Sequence, residues 1–405
     1  MTKQMGKTKF DVPPPVSAAE HHGIYPTLNH DDRARLNFVS ACNRLVASTI
    51  TPGNALTYES QVLPKFKAAN GREPENRSEV RRTMNNNAFH SMWSATRRNL
   101  MEVRQQAGAA AVLRQLDELA AKAKDFNTKN DNLQLNSDID IPPYVAEVDH
   151  HCMPGSYYRE LVPGDVSPAA NYDAGFFVTT GGTVGVLNDG AGKAIASWVR
   201  DYICKTTPEF KPKRVLDIGV AVGHSLVPIA QAFPDTEFVA IDVSAPMLRY
   251  AHARAQSLGV TNIQFIQMSG EDLSAFEDES FDWVQTSIFL HELSAKSLPK
   301  LLGEAFRVLK PGGLTLHLEQ PQYEDDMPVF EQFMRDWDAY NNNEPFWTAM
   351  HSIDMDQALI DSGLKPENLF HAAMRAEVDG QANASDQGGQ DYGRNPAWHA
   401  YGATK

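Results

Sequence analysis

Cysteine is scarce in this chain of 405 residues, which contains only Cys42, Cys152 and Cys204. The three positions follow no paired or metal-type spacing, which argues against a disulfide framework and is typical of a reducing compartment. No apolar run approaches the length of a membrane-spanning helix, and the first ten residues lack the apolar stretch of a signal peptide. We therefore expect a cytoplasmic protein that does not associate with membranes.

Positive charge is also in deficit, because 37 Lys and Arg stand against 51 Asp and Glu, a net charge of -14. The imbalance is strongest over residues 323–405, which hold fifteen acidic and five basic residues. A surface of this sign repels phosphate groups, which argues against nucleic acid as a partner. The acidic surface either keeps the protein soluble, which we favour, or attracts a cationic substrate.

The length of the chain predicts two to three domains, and a hydrophobic content of 42% is sufficient for each to have a hydrophobic core. Helical spacing of apolar residues predicts helices over residues 33–48, 55–66, 78–102 and 109–124. We divide the chain into a disordered start (1–15), a mostly α-helical domain (16–137), a connecting segment (138–207) and an α/β domain (208–405). The helical domain either packs and forms a homodimer or covers a substrate pocket.

The stretch RVLDIGVAVGH, residues 214–224, joins a hydrophobic strand to a helix through glycines. An apolar run that ends near Asp217 is typical of a buried strand in a parallel sheet. Gly219 and Gly223 bracket a turn in which the backbone can approach a ligand or adopt positive φ. The free amides of the following helix point into this turn, which favours a nucleotide-type ligand.

Strands and helices alternate after the turn, which predicts a doubly wound α/β fold whose strand ends meet at one edge. The second strand ends in Asp242, nineteen positions after Gly223, where a carboxylate can accept both hydroxyls of a ribose. The strands predicted after the first cover residues 237–241, 263–268, 281–286, 314–319, 369–374 and 397–402.

Residues from about 206 to 405 resemble a class I S-adenosylmethionine-dependent methyltransferase. The resemblance rests on four segments: DIGVAVG at the turn, AIDVSAPML after the second strand, MSGEDLSAFEDESFD after the third and FRVLKPGG before the fifth. It implies a Rossmann-like sheet of seven strands, of which the last two form an antiparallel edge pair. It also implies S-adenosyl-L-methionine as cofactor and S-adenosyl-L-homocysteine as product.

The resemblance implies roles for the residues that match the family's motifs. Gly219 would lie along the methionine part of the cofactor, Asp217 would orient its amino group and Asp242 would hold the ribose. Val243 would pack on the adenine, which Gly270 and Glu271 would flank. The whole predicted cofactor set is Asp217, Gly219, Ala221, Gly223, Asp242, Val243, Ser269, Gly270, Glu271, Gln285 and Thr286.

Two positions depart from the family's pattern. Ala221 replaces the usual middle glycine, and Ser269 stands where an aspartate is common. A methyl group at Ala221 is tolerable if its φ is negative, which we therefore expect. The alternative of an NAD-dependent dehydrogenase is disfavoured, because the turn reads Gly-x-x-x-Gly and Asp217 suits an ammonium better than a pyrophosphate.

Residues after the fourth and fifth strands are expected to form the acceptor pocket. The segments IFLHEL (288–293) and NEPFW (343–347) resemble a bacterial branch related to the quinone-pathway methyltransferases. If the acceptor is a hydroxyl, His291 has a suitable pKa for a general base, although it could equally cap a helix. Glu292 is expected to cap or pair. The predicted pocket residues are Phe289, Tyr323, Phe346, Trp347 and Arg159.

The connecting segment contains HHCMPGSYYR over residues 150–159 and a glycine-rich patch over 176–185. Adjacent side chains diverge and no second ligand cluster has zinc-like spacing, so no metal is predicted. The segment either folds over the cofactor's reactive end or serves only as a connector. In the first case Tyr157 would join His291 as a catalytic residue.

These observations predict a methyltransferase that transfers a methyl group by in-line displacement to a small-molecule acceptor in a desolvated pocket. An inactive cofactor-binding partner subunit and a methyltransferase acting on protein remain as alternatives. The acceptor and the atom methylated stay open. The loop over residues 376–396 is long and polar, and we expect it to be flexible.

Overall fold

The computed structural model describes residues 12–19, 22–323, 326–382 and 397–405. The predictions of a disordered start and a flexible loop therefore lie largely outside the described residues. The helices, in chain order, are α1 (His30–Leu45), α2 (Pro52–Thr57), α3 (Leu63–Asn70), α4 (Arg77–Met84), α5 (Ala88–Leu113), α6 (Leu116–Asn127), α7 (Pro143–Ala146), α8 (Ser167–Thr180), α9 (Gly190–Trp198), α10 (Cys204–Thr206), α11 (Leu226–Ala232), α12 (Ala245–Ser257), α13 (Ser297–Val308), α14 (Val329–Arg335), α15 (Trp337–Asn341), α16 (Trp347–Ser352) and α17 (Met355–Asp361).

The strands are β1 (Leu133–Gln134), β2 (Arg214–Ile218), β3 (Glu237–Asp242), β4 (Ile263–Gln267), β5 (Phe281–Ser287), β6 (Leu309–Glu319), β7 (Leu369–Arg375), β8 (Glu377–Val378), β9 (Gln381–Ala382) and β10 (Ala397–Thr404). One sheet has the order β1-β4-β3-β2-β5-β6-β10-β7, and β8 pairs with β9 in a separate hairpin. Pairing is parallel from β1 to β6, and β10 runs antiparallel to both β6 and β7. The predicted α/β class and antiparallel edge pair are confirmed.

The strands form a sheet because their apolar side chains are buried on both faces. Val215 and Trp283 pack on one face with residues of α9, α11 and α12. Leu216 and Val284 pack on the opposite face with residues of α13 and α17. Burial on both faces is typical of a parallel sheet covered by helices, and it directs the carboxyl ends of the strands to a single edge.

The part of the chain predicted to be mostly α-helical, residues 16–137, contains a strand that adds an eighth to the predicted sheet of seven. β1 pairs in parallel with β4, and Leu133 lies opposite Phe265. The two residues of β1 are too few for a period-two pattern, so hydrophobic spacing could not reveal them. The N-terminal helices are thereby joined to the edge of the sheet.

The helical part is mostly α-helical as predicted, but two of its helices are divided. Asn87 ends the turn after α4 and caps α5, because its side chain accepts hydrogen bonds from the amides of Phe89 and His90. The helix predicted over 109–124 is likewise divided between α5 and α6.

The helical part packs on the segment that follows β6. Trp93 and Met101 of α5 share a core with Phe333 and Trp337. The guanidinium of Arg97 lies 3.2 Å from the carboxylate of Asp338. The N-terminal helices therefore cover the edge at which the strands end. Within the described ranges, no helix combines the length and apolar character needed to cross a bilayer.

Candidate active site

The glycine turn after β2 lies at the carboxyl edge of the sheet. Gly219 and Gly223 both adopt a φ of 78°, which glycine tolerates because it lacks a Cβ atom. The amides of Gly219 and Val220 donate hydrogen bonds of 2.9 and 3.1 Å to the carbonyl oxygen of Ile241. The turn is thus held against the end of β3.

Ala221 corrects one prediction, because its φ is +47° rather than negative. A left-handed conformation costs a residue with a Cβ atom about 1–2 kcal/mol. Two hydrogen bonds of 2.9 Å hold the local geometry: the Ala221 amide donates to Asp242 Oδ2, and the Ser244 amide donates to Asp242 Oδ1. Asp242 therefore supports the turn while it lines the cavity described below.

Asp217 occupies the end of β2 and is buried. Gln285 Nε2 donates a hydrogen bond of 2.6 Å to Asp217 Oδ2. Burial, supplemented by the negative charge of Asp242, raises the pKa of Asp217 to about 7 against the lowering effect of Gln285. The site therefore favours a cation beside this carboxyl group.

One cavity begins at this edge, and five predicted cofactor residues line it: Asp217, Gly219, Ala221, Asp242 and Val243. The other six, Gly223, Ser269, Gly270, Glu271, Gln285 and Thr286, are not among its lining residues. Gln285 connects to the cavity through Asp217. Glu271 connects through the Tyr144 hydroxyl, which donates to it at 2.8 Å. Thr286 instead contacts His317, with 2.9 Å between Oγ1 and Nδ1.

The same cavity extends to a second group of residues, most of them buried or half-buried. Phe289 packs directly on the glycine turn, because a Cβ atom at Gly219 would lie 2.5 Å from the phenylalanine ring. The lining residues at this second end include His150, His151, Tyr157, Tyr172, Phe176, His291, Glu292 and Trp347. Aromatic and ionisable side chains thus face the space beyond the turn.

His291 is held by a carboxylate that sequence spacing did not single out. Its Nδ1 atom lies 2.9 Å from Glu319 Oε2, and Glu319 Oε1 accepts hydrogen bonds of 2.7 Å from the amides of Phe289 and Leu290. Burial opposes the charged imidazole, but the adjacent Glu319 outweighs it and raises the pKa of His291 to about 9. Trp347 lies against the ring, with 4.5 Å between the ring centroids.

Glu292 pairs, which is one of the two roles expected for it. Its Oε2 atom lies 2.5 Å from His150 Nδ1, and its Oε1 accepts a hydrogen bond of 2.9 Å from the Tyr157 hydroxyl. Glu344 lies in the same group, with its Oε1 atom 2.5 Å from His151 Nδ1. Burial and the charge of Glu292 raise the pKa of Glu344 well above its usual range.

Three predicted pocket residues lie elsewhere. The Tyr323 hydroxyl donates a hydrogen bond of 2.5 Å to Asp336, and its ring stacks on His351. Phe346 contacts Tyr144 edge to face, with centroids 6.2 Å apart. Arg159 is exposed and packs beside Gly155. Phe289 and Trp347, the other two predicted pocket residues, line the cavity.

Residues 215–313 match the family model described as a methyltransferase domain. The chain is 30% identical over 124 residues to a demethylmenaquinone methyltransferase of Symbiobacterium thermophilum, covering 30% of this chain and 48% of that protein. It is 26% identical over 220 residues to the ubiquinone/menaquinone biosynthesis C-methyltransferase UbiE of Pasteurella multocida, covering 49% and 79% of the two chains.

A solved S-adenosylmethionine-dependent methyltransferase from Aquifex aeolicus is 19% identical, with 52% of this chain and 93% of that chain covered and a TM-score of 0.33. The chain spans about half the length of several curated relatives that it matches. The segment that matches the methyltransferase-domain model begins at Val215, the second residue of β2, and ends at Gly313 within β6. It therefore covers the strands that build the glycine turn and its neighbours. Residues 215–313 therefore form a methyltransferase domain, and the chain is similar through this domain to S-adenosylmethionine-dependent methyltransferases.

Proposed function

We propose that this chain uses S-adenosylmethionine to methylate a small-molecule acceptor. The observation that carries the proposal is a single cavity lined both by the Asp217 and Asp242 edge and by the His291, Glu292 and aromatic group. A donor bound at the first end would present its reactive atom to an acceptor held at the second. Proximity of this kind is the main requirement of methyl transfer.

The residues at the sheet edge fit the donor. Asp217 is a buried carboxyl group that is stabilised by a nearby cation, such as the amino group of a methionine. Gln285 Oε1 is buried and has no hydrogen-bond partner among the described residues, so it can accept from the same amino group. Asp242 and Val243 line the neighbouring stretch, where ribose and adenine would bind.

When bound, S-adenosylmethionine supplies a methyl group on a positively charged sulfur. The chain's own residues then have to align the acceptor and exclude water. His291 is held in one orientation by Glu319 and is cationic at neutral pH, since its pKa is raised to about 9. We propose that it stabilises negative charge on an acceptor oxygen, and that it accepts a proton only above that pH.

The acceptor class proposed is a small aromatic hydroxyl compound. Tyr157, Tyr172, Phe176 and Trp347 line the acceptor end and offer faces for a flat molecule. The names of two curated relatives, a demethylmenaquinone methyltransferase and a ubiquinone/menaquinone biosynthesis C-methyltransferase, support the same class.

Calorimetry with S-adenosylmethionine and S-adenosylhomocysteine tests the donor site, and binding of neither would overturn the proposal. Transfer of labelled methyl groups into a metabolite extract tests the reaction. Label in small molecules supports the proposal, label only in protein favours the alternative substrate class, and cofactor binding without any transfer favours an inactive partner subunit.

His291→Gln tests the acceptor end once a labelled product is found. We expect turnover to fall by about 10²–10⁴-fold, the usual contribution of a positioned acid or base, while donor affinity stays near that of the wild type. His252→Gln is the matched control, because His252 is buried but contacts Asn127 and Asn130 outside the cavity. Equal losses in both variants would contradict the assigned role.

We also propose that the N-terminal helices form a homodimer. Large apolar side chains are exposed on α1 and α2, namely Phe38, Leu45 and Leu56. A homodimer would remove these exposed apolar side chains from water. Light scattering of the purified chain tests this, and replacement of Phe38 and Leu56 by Ser should yield the monomer.

A further inference from the structure

We propose that His150, Glu292 and Glu344 bind a divalent first-row transition-metal ion at the acceptor end of the cavity. The three residues are buried, and one potential ligand atom from each lies within 4.8 Å of the others. They come from three separate segments of the chain: the turns His150–Cys152 and Leu290–Glu292 and the loop before α16. The proposal rests on their geometry and does not depend on methyl transfer.

The tautomer of His150 exposes a lone pair to Glu292. His150 Nε2 lies 2.7 Å from the carbonyl oxygen of Tyr144, which can only accept, so Nε2 carries a proton. In the neutral ring Nδ1 then has a free lone pair, and it lies 2.5 Å from Glu292 Oε2. Neither of these two atoms makes a hydrogen bond within the described part of the chain. At this separation the two electron-rich atoms repel each other unless a shared proton or a bound cation offsets the repulsion.

Glu344 is a second buried carboxyl group that lies close to a histidine nitrogen without a hydrogen bond to it. It is fully buried at 0% exposure, and neither of its oxygens has a hydrogen-bond partner among the residues described. Its Oε1 lies 2.5 Å from His151 Nδ1, and the Asn342 side-chain amide reaches the same nitrogen at 3.3 Å. In the described ranges no Lys or Arg forms an ion pair with it. Burial disfavours the ionised form of this carboxyl group, and a bound cation would stabilise that form.

The surroundings are those of a supported metal site. The Tyr144 carbonyl orients His150, and the Tyr157 hydroxyl donates to the Glu292 oxygen that does not face His150. Outer hydrogen bonds of this kind commonly fix metal ligands. His151 and Asn343, next to two of the ligands, adopt left-handed φ values of 52° and 54°, which persist only where the surroundings impose them.

The donor set indicates the class of ion. One or two imidazoles with two carboxylates suit Zn²⁺, Mn²⁺ or Fe²⁺, whereas Mg²⁺ and Ca²⁺ prefer oxygen ligands alone. Bonds from such ions to nitrogen and oxygen are about 2.0–2.2 Å, so ligands of one ion lie at most roughly 4 Å apart. The three ligand atoms lie within 4.8 Å of one another, so the widest pair has to close by less than about 1 Å. The His150 and Glu292 atoms, which are 2.5 Å apart, have to separate to admit the ion.

The test uses the full chain, dialysed against EDTA and titrated with Zn²⁺, Mn²⁺ and Mg²⁺ by calorimetry and thermal shift. We expect one equivalent of Zn²⁺ or Mn²⁺ to bind and raise the Tm, with Mg²⁺ much weaker. Co²⁺ should give a visible absorption band that reports its coordination. Glu344→Gln keeps the shape of the side chain and should weaken binding by more than the roughly 10–100-fold that loss of an outer partner costs.

His371→Ala is the matched control, because His371 forms an exposed group with His399 and Asp356 that could bind metal adventitiously. This variant should retain the tight site. The proposal is overturned if the wild type binds no metal, if Glu344→Gln keeps wild-type affinity, or if His371→Ala abolishes binding. Titration of the metal-free chain with S-adenosylmethionine reports the donor site separately, so either proposal can fail without the other.

Discussion

Two buried carboxylate centres flank the cavity, and each lies beside two histidines. Asp173 in α8 accepts hydrogen bonds from His22 and Tyr250 on Oδ2, both at 2.7 Å, and from His224 on Oδ1 at 2.6 Å. Glu344 lies beside His151, in the group that contains His150 and Glu292, yet no hydrogen bond from the described residues reaches its oxygens. Carboxylate and histidine side chains therefore form a closed centre around Asp173, whose oxygens are hydrogen-bonded, and an open centre around Glu344, whose oxygens are not.

The difference shows what buried charge does in this chain. The Asp173 centre joins the N-terminal segment to His224, which follows the glycine turn, and despite burial its histidines hold the pKa of Asp173 well below the usual range. A satisfied carboxylate of this kind fixes structure. The group of His150, Glu292 and Glu344 has polar atoms that lack hydrogen-bond partners among the described residues and face one another. This is the expected state of a site that binds a ligand.

The strongest test of this comparison is stability. Asp173→Asn should cost about 3–5 kcal/mol of unfolding free energy, because two histidines and a tyrosine hydroxyl lose a charged partner in the interior. Glu344→Gln in metal-free protein should change stability by less than about 1 kcal/mol, because the raised pKa of Glu344 keeps the buried group protonated and the amide is neutral and of similar shape. Denaturant unfolding measures both. An equally large loss in Glu344→Gln would make the second centre structural as well.

The donor end should respond to pH through Asp217. Its pKa is raised to about 7, so below that pH the carboxyl group is protonated and must lose a proton before it binds an ammonium. S-adenosylmethionine affinity should therefore fall by about fifteenfold from pH 7 to pH 5.5, because half of the carboxyl groups are ionised at pH 7 and about 3% at pH 5.5. Asp217→Asn should bind weakly with little dependence on pH. Calorimetry across this range measures it, and a steep wild-type dependence that persists in the variant would exclude Asp217 as its source.

Tyr157 tests whether the open centre is supported by its neighbours. Tyr157→Phe removes only the hydroxyl that donates to Glu292. We expect metal affinity to fall by about tenfold or somewhat more, with stoichiometry unchanged. Tyr158→Phe is the control, because the Tyr158 hydroxyl donates to the carbonyl of Ala146 instead. Similar losses in the two variants would show that the effect is general to the segment.

The smallest expected effect concerns the strained turn. Ala221→Gly removes a Cβ atom at a φ of +47° and should stabilise the protein by about 0.5–1 kcal/mol. Gly259→Ala is the reverse control, since Gly259 has a φ of 75° and open space around its Cβ position, and it should destabilise by a similar amount. Thermal unfolding measures both. A destabilising Ala221→Gly would mean that the Ala221 methyl group contributes packing that outweighs the strain.

The periodic parts of the fold could be predicted from the sequence. The strands β2 to β6 and the antiparallel pair β7 and β10 follow apolar runs, and such runs are local signals. β1 has only two residues, and its pairing with β4 depends on a segment about 130 positions later in the chain. No local sequence pattern therefore predicts this strand. The left-handed Ala221 was missed for a related reason, because its conformation is imposed by Asp242 and the end of β3.

At the sheet edge, five of the eleven residues predicted to bind the cofactor line the cavity, and these five follow the ends of β2 and β3. The acceptor end was only half predictable. His150, His291, Glu292 and Glu344 all lay in segments that the sequence marked as unusual, but Glu319 sits at the end of an ordinary buried strand. Nothing in the spacing of these residues showed that Glu319 would hold His291, or that Glu344 would lie beside His151.

The sequence by itself determined the α/β class and the glycine turn with Asp217 and Asp242, because each depends on short apolar runs and the residues that end them. The donor followed from the resemblance of these segments to a known family. Only the tertiary structure decided which ionisable side chains share the acceptor end and which of them are satisfied. That information depends on contacts between segments more than 100 residues apart, such as His150 with Glu292 and His22 with Asp173.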